Sequence, residues 1–436
     1  MIDKISRMEM VIQSFVSDNQ FMGSVLVAQN GNILLDKGYG YANLEWDILN
    51  SPITKFRIGS LTKQFTAAAI LLLEENGKLK LTDPIKKYMP DTPAAWNDIA
   101  IFNLLTHTSG IPNYTSFPDF ALITKTTKAP EQQIDLFRDK PLDFQPGEGY
   151  AYNNSGYVLL GYLIERLSDQ SYQDFMMNAV FKPLGMNDSG YDSNTAIISH
   201  RASGYLRTSM GVQNAEYLDM SIPYSAGSLY STTQDLHRWM TCLLGGKFLS
   251  PASLKKMVTP FKNNYGLGVI IEAIDGKKVI HHAGAINGFD SILLHFPDDN
   301  LTIVSLSNLN ALGYSAQNIA MKMIKLIYDR EVILPLERKI ITAPSDLIKK
   351  YVSTYQLISS NISYSTHKTE LVISLEDGKL TAQSQKLPKT LLYAESNNKF
   401  FAKIPDMQIE FFVDQAGHLS HLILYQDGEE TKGIPF

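Results

Sequence analysis

Ser60 and Lys63 are the residues whose types and spacing first suggest chemistry. They lie in the tetrapeptide SLTK, which leads into an apolar stretch over residues 65–73. On a helix, side chains three residues apart share one face, with Cβ atoms about 5–6 Å apart. A serine hydroxyl is a poor nucleophile until a base takes its proton, and a lysine amine can do so when burial keeps it partly neutral.

The Ser-x-x-Lys spacing carries little weight alone, because the chain contains four such tetrads, starting at Ser60, Ser253, Ser365 and Ser396. Only the tetrad at Ser60 opens a long apolar helix, which is rich in Ala and Leu and has Gly77 as a natural stop. A serine helix cap beside a lysine that reaches water would give the same pattern. More residues are needed to favour a nucleophile.

Two further motifs supply them. Tyr152 and Asn154 form a Tyr-x-Asn in a segment dense in turn formers, just before an apolar helix predicted over residues 157–167. A compact loop ahead of a helix is well suited to presenting side chains. His282, Gly284 and Ala285 follow a predicted strand. Each motif is weak alone, but the three occur in order.

Together the three motifs resemble those of the serine β-lactamase and penicillin-binding protein superfamily, in its class C-like branch of esterases, D-amino-acid peptidases and related hydrolases. Flanking segments match as well: FRIG at 56–59, LLTHTSG at 104–110, PGE at 146–148 and PLGM at 183–186. The resemblance covers roughly residues 10–330. It implies an α+β fold, with an antiparallel sheet flanked by helices and a helical insertion.

The resemblance also implies roles for individual residues. Ser60 would be the acylated nucleophile, Lys63 would ease its deprotonation and orient it, and Tyr152 would be the base. Asn154 would bind a substrate amide or hold Lys63. The backbone N–H groups of Ser60 and Ala285 would form the oxyanion hole, where one donor is worth about 10²–10³ in rate.

His282 departs from the lysine that many members carry in a Lys-Thr-Gly motif. A histidine is only partly charged near neutral pH, which weakens the case for recognition of a substrate carboxylate. We expect His282 to contact substrate nevertheless, although a buried structural histidine would fit the pattern too. Gly284 is expected to let the substrate backbone lie close to its strand. The sequence shows no Gly-x-Ser-x-Gly elbow, which argues against an α/β-hydrolase.

The rest of the chain predicts how these residues are positioned. Asn30-Gly31 between two apolar runs predicts a β-hairpin. Strands after residue 265 would join that hairpin in one sheet, closed by a helix over 312–328. His107 ends a predicted helix at 101–110, where anchoring by hydrogen bonds is favoured over catalysis. We predict a hydrolase domain at 1–335, a linker at 336–345 and a small all-β barrel domain at 346–436.

Composition restricts the classes of function. The net charge is −5 and there is no long basic run, so nucleic acid is not expected as a partner. No apolar run is long enough to span a bilayer. Cys242 is the only cysteine and fits a packed helix face. The histidines lack zinc-hydrolase spacing, and we predict neither a metal nor a cofactor. The sequence leaves open a cytoplasmic location or an extracytoplasmic one with its signal removed.

These observations predict a serine hydrolase that works through an acyl-enzyme on small esters, amides or D-amino-acid peptides. Two alternatives stay open: a penicillin-binding sensor or scaffold without turnover, and a weak β-lactamase. A homo-oligomer formed through the C-terminal domain is also predicted.

Overall fold

The computed structural model of the protein describes residues 3–208, 210–311, 315–358, 369–384, 389–403, 406–426 and 429–436. The α-helices, in chain order, are α1 (Lys4–Ser17), α2 (Thr62–Glu75), α3 (Ile101–Leu105), α4 (Phe120–Ile123), α5 (Pro130–Ile134), α6 (Asn154–Ser168), α7 (Tyr172–Phe175), α8 (Lys182–Leu184), α9 (Tyr224–Gly227), α10 (Thr233–Leu244), α11 (Pro251–Met257), α12 (Ser315–Ile327) and α13 (Ser345–Ile348).

The strands form two principal sheets and three small ones. In chain order they are β1 (Gly23–Gln29), β2 (Asn32–Tyr39), β3 (Tyr41–Asn43), β4 (Ile48–Leu49), β5 (Phe56–Arg57), β6 (Gly190–Tyr191), β7 (Tyr205–Thr208), β8 (Gly211–Asn214), β9 (Leu229–Ser231), β10 (Ile270–Ile274), β11 (Lys277–Ile286), β12 (Phe289–Phe296), β13 (Leu301–Ser307), β14 (Leu309–Asn310), β15 (Ser353–Ile358), β16 (Thr369–Glu376), β17 (Lys379–Ser384), β18 (Thr390–Leu391), β19 (Tyr393–Ala394), β20 (Lys399–Ala402), β21 (Met407–Val413), β22 (Leu419–Gln426) and β23 (Glu429–Pro435).

The first principal sheet has the order β10-β11-β12-β13-β1-β2, with all neighbours antiparallel. The predicted hairpin at Asn30-Gly31 is present, since β1 pairs with β2. On its other side β1 pairs with β13, where Gly23 lies opposite Ser307. The prediction that distant parts of the chain build one sheet is therefore confirmed.

This sheet is buried on both faces, because successive side chains of a strand point to opposite sides. Val25 and Val27 pack against α1 and α12, whereas Leu26 and Ala28 face the larger core that contains α2, α6 and α10. The result is three layers: helices α1 and α12, the sheet, and the helical region that contains α2, α6 and α10. The predicted helix at 312–328 is α12, and its first predicted residues lie outside the described ones.

Helix α2 runs through the middle of the helical layer. Its Ala and Leu residues favour a helix, and most of them are fully buried. Gly77 follows the helix with a φ of +69°, a conformation that glycine adopts without strain. Helix α6 begins at Asn154, three residues earlier than predicted, because the Asn153 side chain accepts a hydrogen bond from the Gly156 N–H at 2.7 Å.

The second principal sheet has nine strands in the order β18-β17-β16-β15-β23-β22-β21-β20-β19. Its two edge strands, β18 and β19, flank Leu392 in the chain, and the Leu392 N–H donates to the Leu380 carbonyl at 2.8 Å. The sheet is therefore nearly closed, and the predicted barrel-like C-terminal fold is confirmed. The exact domain boundaries stay a prediction. Within the described residues, none of the helices has the length and apolar character needed to cross a bilayer.

Candidate active site

Ser60 lies in a single 3₁₀ turn, Gly59–Leu61, directly before α2. Gly59 has a φ of +50°, which turns the chain sharply from strand β5 into the helix. The turn places Ser60 at the wall of a cavity of about 240 Å³. Lys63 follows one helical turn later, where its side chain is fully buried.

Lys63 makes three hydrogen bonds that bring separate parts of the chain together. Its Nζ donates to Ser60 Oγ at 3.0 Å, to Asn154 Oδ1 at 2.8 Å and to the carbonyl of Ala226 at 2.9 Å. None of these partners is a carboxylate. Burial, which disfavours the charged form, lowers the pKa of Lys63 well below its ordinary value. A dehydrated amine in contact with a serine hydroxyl can exchange a proton with it.

Asn154 bridges Lys63 to the segment that contains Asn113 and Thr115. Its Nδ2 donates to Thr115 Oγ1 at 3.1 Å while its Oδ1 accepts from Lys63. The backbone N–H of Asn154 donates to Asn113 Oδ1 at 3.1 Å. Because it begins α6, Asn154 is fixed by backbone as well as by side chain. This arrangement agrees with the expectation that Asn154 holds Lys63.

The ring of Tyr152 lies beside Lys63, with its centroid 4.8 Å from Nζ. His107 forms hydrogen bonds with the residues on both sides of this tyrosine. Its carbonyl accepts from the Ala151 N–H at 3.0 Å, and its Nδ1 accepts from the Asn153 N–H at 3.0 Å. The rings of His107 and Tyr152 also pack with centroids 4.4 Å apart. One residue therefore sets the position of the Tyr152 backbone and ring.

The predicted helix at 101–110 is too long, and His107 explains why. The helix ends at Leu105, and His107 takes a φ of +59°, which a helix cannot contain. Burial first, and then the nearby charge of Lys63, lower the pKa of His107 well below its ordinary value. Since Nδ1 accepts a hydrogen bond, the imidazole is neutral with its proton on Nε2.

Strand β11 lies against the turn that carries Ser60, and two glycines make this contact possible. A β-carbon on Gly284 would lie 2.1 Å from the Ile58 carbonyl oxygen and 2.9 Å from the Ser60 nitrogen. A β-carbon on Gly59 would lie 3.0 Å from the Ala285 nitrogen. Each glycine thus makes room for the backbone of the other segment. The backbones of Ser60 and Ala285 consequently line the same cavity.

This geometry revises the role expected for Gly284. We predicted that its missing side chain would let substrate approach the strand. In the structure that side of Gly284 faces Ile58 and Ser60, and Gly284 is not among the residues that line the cavity. The absence of a side chain is required by packing between protein segments.

His282 also lies away from the cavity wall, with only 3% of its surface exposed. Its Nδ1 lies 2.6 Å from the carbonyl of Ala283 and must donate to it, so Nε2 accepts from the Tyr265 hydroxyl at 3.1 Å. Burial, followed by the charge of Lys63, lowers the pKa of His282 to about 3. The expected contact between His282 and substrate finds no support in this arrangement, and the buried structural histidine fits better.

The structure thus brings together Ser60, Lys63, Asn154 and the ring of Tyr152, with Ala285 beside the turn that carries Ser60. Sequence reasoning missed the hydrogen bond between the Asn153 N–H and His107 Nδ1, next to Tyr152. It also missed Thr115, which belongs to none of the motifs. No sequence pattern could have identified the carbonyl of Ala226 as a partner of Lys63, because every residue type has a backbone carbonyl.

Residues 11–323 match the family described as Beta-lactamase. Penicillin-binding protein 4* of Bacillus subtilis is 28% identical, and the match covers 99% of this chain and 99% of that protein. A penicillin-binding protein from Bacillus halodurans is 28% identical, with a TM-score of 0.65 over 72% of this chain and 99% of its own. The octameric penicillin-binding protein homologue from Pyrococcus abyssi is 24% identical, with a TM-score of 0.68 over 98% of this chain and 99% of its own.

Proposed function

Since this chain belongs to the Beta-lactamase family and is a serine hydrolase of that superfamily, we propose that it cleaves small esters, amides or D-amino-acid peptides through an acyl-enzyme on Ser60. The observation that carries this proposal is the 3.0 Å hydrogen bond between Ser60 Oγ and the buried amine of Lys63. A serine so placed has a proton acceptor within reach, and it faces a cavity that can hold a substrate.

In the first half of the reaction, Ser60 Oγ loses its proton and attacks the substrate carbonyl. The new C–O bond drives the carbonyl electrons onto oxygen, and the N–H groups of Ser60 and Ala285 stabilise that oxyanion. The bond to the leaving group then breaks, and the leaving group takes up the proton. In the second half, water attacks the ester on Ser60, releases the acid and returns the proton to Oγ.

Lys63 and Tyr152 share the movement of this proton in the proposed mechanism. Lys63 contacts Ser60 directly, and its lowered pKa makes the neutral amine accessible in the buried site. The ring of Tyr152 lies close to Lys63, which favours a relay between the two residues and the leaving group. General acid–base catalysis of this kind is typically worth about 10²–10⁴ in rate.

A sensor that is acylated and never deacylated is the second candidate. The similarity to penicillin-binding proteins over most of the chain favours it. A homo-oligomer is also proposed, since the Pyrococcus abyssi relative is described as octameric. The sensor and the hydrolase share the first half of the reaction and differ in the lifetime of the acyl-enzyme.

The function is tested by acid quenching the protein at intervals after mixing with p-nitrophenyl acetate, and separately with benzylpenicillin. We expect acetyl transfer to the peptide that contains Ser60, followed by loss of the acetyl group and continuous release of nitrophenol. Intact-mass measurement and peptide mapping follow both steps. A penicillin adduct that persists while no ester turns over would favour the sensor, and a label on another residue would overturn the assignment of Ser60.

The hold of His107 on the Tyr152 segment gives a second prediction. In His107→Leu the Nδ1 acceptor is lost, so we expect kcat to fall about 10–100-fold with little change in KM, as displaced catalytic groups cost rate rather than binding. His107→Asn is the matched control, because its Oδ1 can accept from the Asn153 N–H and asparagine tolerates positive φ. Steady-state kinetics on a nitrophenyl ester measure both. Equal kcat values for the Leu and Asn variants would contradict the positioning role.

A further inference from the structure

The cavity in front of Ser60 has an uncharged wall. Its lining includes the aromatic and aliphatic residues Tyr114, Phe120, Leu218 and Ile222, together with neutral polar residues such as Asn154. Among the described residues that line this cavity, none carries a charged side chain. A charged group on a substrate would enter this space without a partner, and an unpaired charge taken out of water is strongly disfavoured.

Several polar groups in and around the cavity already have partners within the protein. The Tyr114 hydroxyl donates to the carbonyl of Ile222 at 2.7 Å. The Asn154 side chain lies between Lys63 and Thr115, bonded to both. The Nζ atom of Lys63 is within hydrogen-bond distance of Ser60, Asn154 and the carbonyl of Ala226, all of which belong to the protein. None of these groups is arranged as the counter-ion of a substrate.

Asp219, an acidic residue next to the wall in sequence, already has partners within the protein. Asp219 follows Leu218, but its carboxylate accepts from Thr127 Oγ1 at 2.6 Å, from Ser221 Oγ at 2.7 Å and from the Ser221 N–H at 3.0 Å. Tyr217 also reaches it, at 3.3 Å. These hydrogen bonds stabilise the segment that carries Leu218. Because the Asp219 carboxylate is occupied by them, it is not available to pair with a substrate ammonium group.

The volume of the cavity sets the size of the group that fits. An apolar cavity of about 150 Å³ is enough to hold a benzene ring. The cavity beside Ser60, at about 240 Å³, therefore holds an aromatic ring together with a short linker. The rings of Tyr114 and Phe120 lie in this wall in an edge-to-face arrangement with centroids 5.8 Å apart, and an aromatic group can add to such a pair.

We infer that the substrates of Ser60 carry a neutral, apolar acyl group of about the size of an arylacetyl group, and that acyl groups with a free carboxylate or ammonium are discriminated against. This inference rests on the proposed function and narrows it. The charge of the substrate then distinguishes two kinds of reaction. Hydrolysis of neutral esters and amides is favoured over peptidase reactions that must recognise a free amino-acid terminus.

The test compares p-nitrophenyl esters of four substituted phenylacetic acids, all with the same leaving group. The 4-acetyl and 4-carboxylate compounds are close isosteres that differ in charge, as are the 4-ethyl and 4-aminomethyl compounds. For the wild-type protein we expect kcat/KM to fall about 10–100-fold from each neutral ester to its charged partner, since a buried charge without a partner is costly.

A designed cation in the wall should change this preference. In Phe120→Lys the new ammonium group reaches the cavity, so the 4-carboxylate ester should gain at least about 10-fold relative to its 4-acetyl partner. Leu122→Lys is the matched control, because Leu122 lies in the same short helix, is 75% exposed and does not line the cavity. It should leave the ratio unchanged.

The outcomes separate this inference from the proposed function. Ratios near one in the wild-type protein, with hydrolysis that depends on Ser60, would overturn the neutral-acyl inference and leave the hydrolase standing. A preference for the charged esters would overturn it as well. Failure of all four esters to react would overturn the proposed function, and the inference would fall with it.

Discussion

Ser60→Ala should reduce kcat/KM for a nitrophenyl ester by about 10⁴–10⁶-fold, the loss that follows when a catalytic serine of a hydrolase is removed. The physical reason is that no acyl-enzyme can form, and the two backbone N–H groups then have no tetrahedral intermediate to stabilise. Since Ser60 is partly exposed at a cavity wall, its removal should leave the fold intact. Steady-state kinetics and thermal unfolding of the same preparation check both expectations.

The chain offers a matched control in a second Ser-x-x-Lys tetrad. Ser253 and Lys256 lie on helix α11 with the same spacing, but Lys256 pairs with Glu74 at 2.8 Å and neither residue lines the cavity. Ser253→Ala should therefore retain the activity of the wild-type protein. Near wild-type activity in Ser60→Ala, or a comparable loss in both variants, would refute Ser60 as the nucleophile.

Gly284→Ala is expected to lose about 10²–10³ in kcat, the effect of misplacing one oxyanion donor. A β-carbon at 2.1 Å from the Ile58 carbonyl oxygen cannot be accommodated, so β11 must move away from the turn of Ser60. That movement separates the backbones of Ser60 and Ala285, which together face the cavity. The same clash should destabilise the protein by about 1–3 kcal/mol, as overpacking does.

Gly77→Ala distinguishes these two effects. A β-carbon there would touch nothing, but the φ of +69° penalises any other residue by about 1–2 kcal/mol. We expect a lowered unfolding temperature with unchanged kcat, in contrast to the Gly284 variant. If Gly284→Ala keeps full activity, or if its loss of activity is fully explained by its loss of stability, the close contact between β11 and the Ser60 turn does not position the oxyanion donors.

Local patterns predicted much of the fold. The Asn-Gly turn and the flanking apolar runs specify the hairpin of β1 and β2, because both signals act over a few residues. The spacing of Ser60 and Lys63 predicted their contact, since one helical turn fixes it. In each case the interacting residues are close in sequence.

The features that sequence reasoning missed join distant segments. The hold of His107 on Asn153 depends on how the end of α3 meets the start of α6, which no local spacing encodes. The orientation of Gly284 depends on which side of β11 meets the turn before α2. The uncharged wall combines residues from two segments that are distant in sequence, around Phe120 and Ile222, and that acquire a common surface only on folding.

The pairing of Gly23 with Ser307 has a consequence for how the protein folds during its synthesis. Strand β1 leaves the ribosome well before its partner β13, which follows only after the whole helical region has been made. Non-local pairing of this kind slows folding and leaves apolar strands unprotected in the meantime. Because β11 also joins this sheet after the helical region, the candidate active site cannot form until β11 has been synthesised.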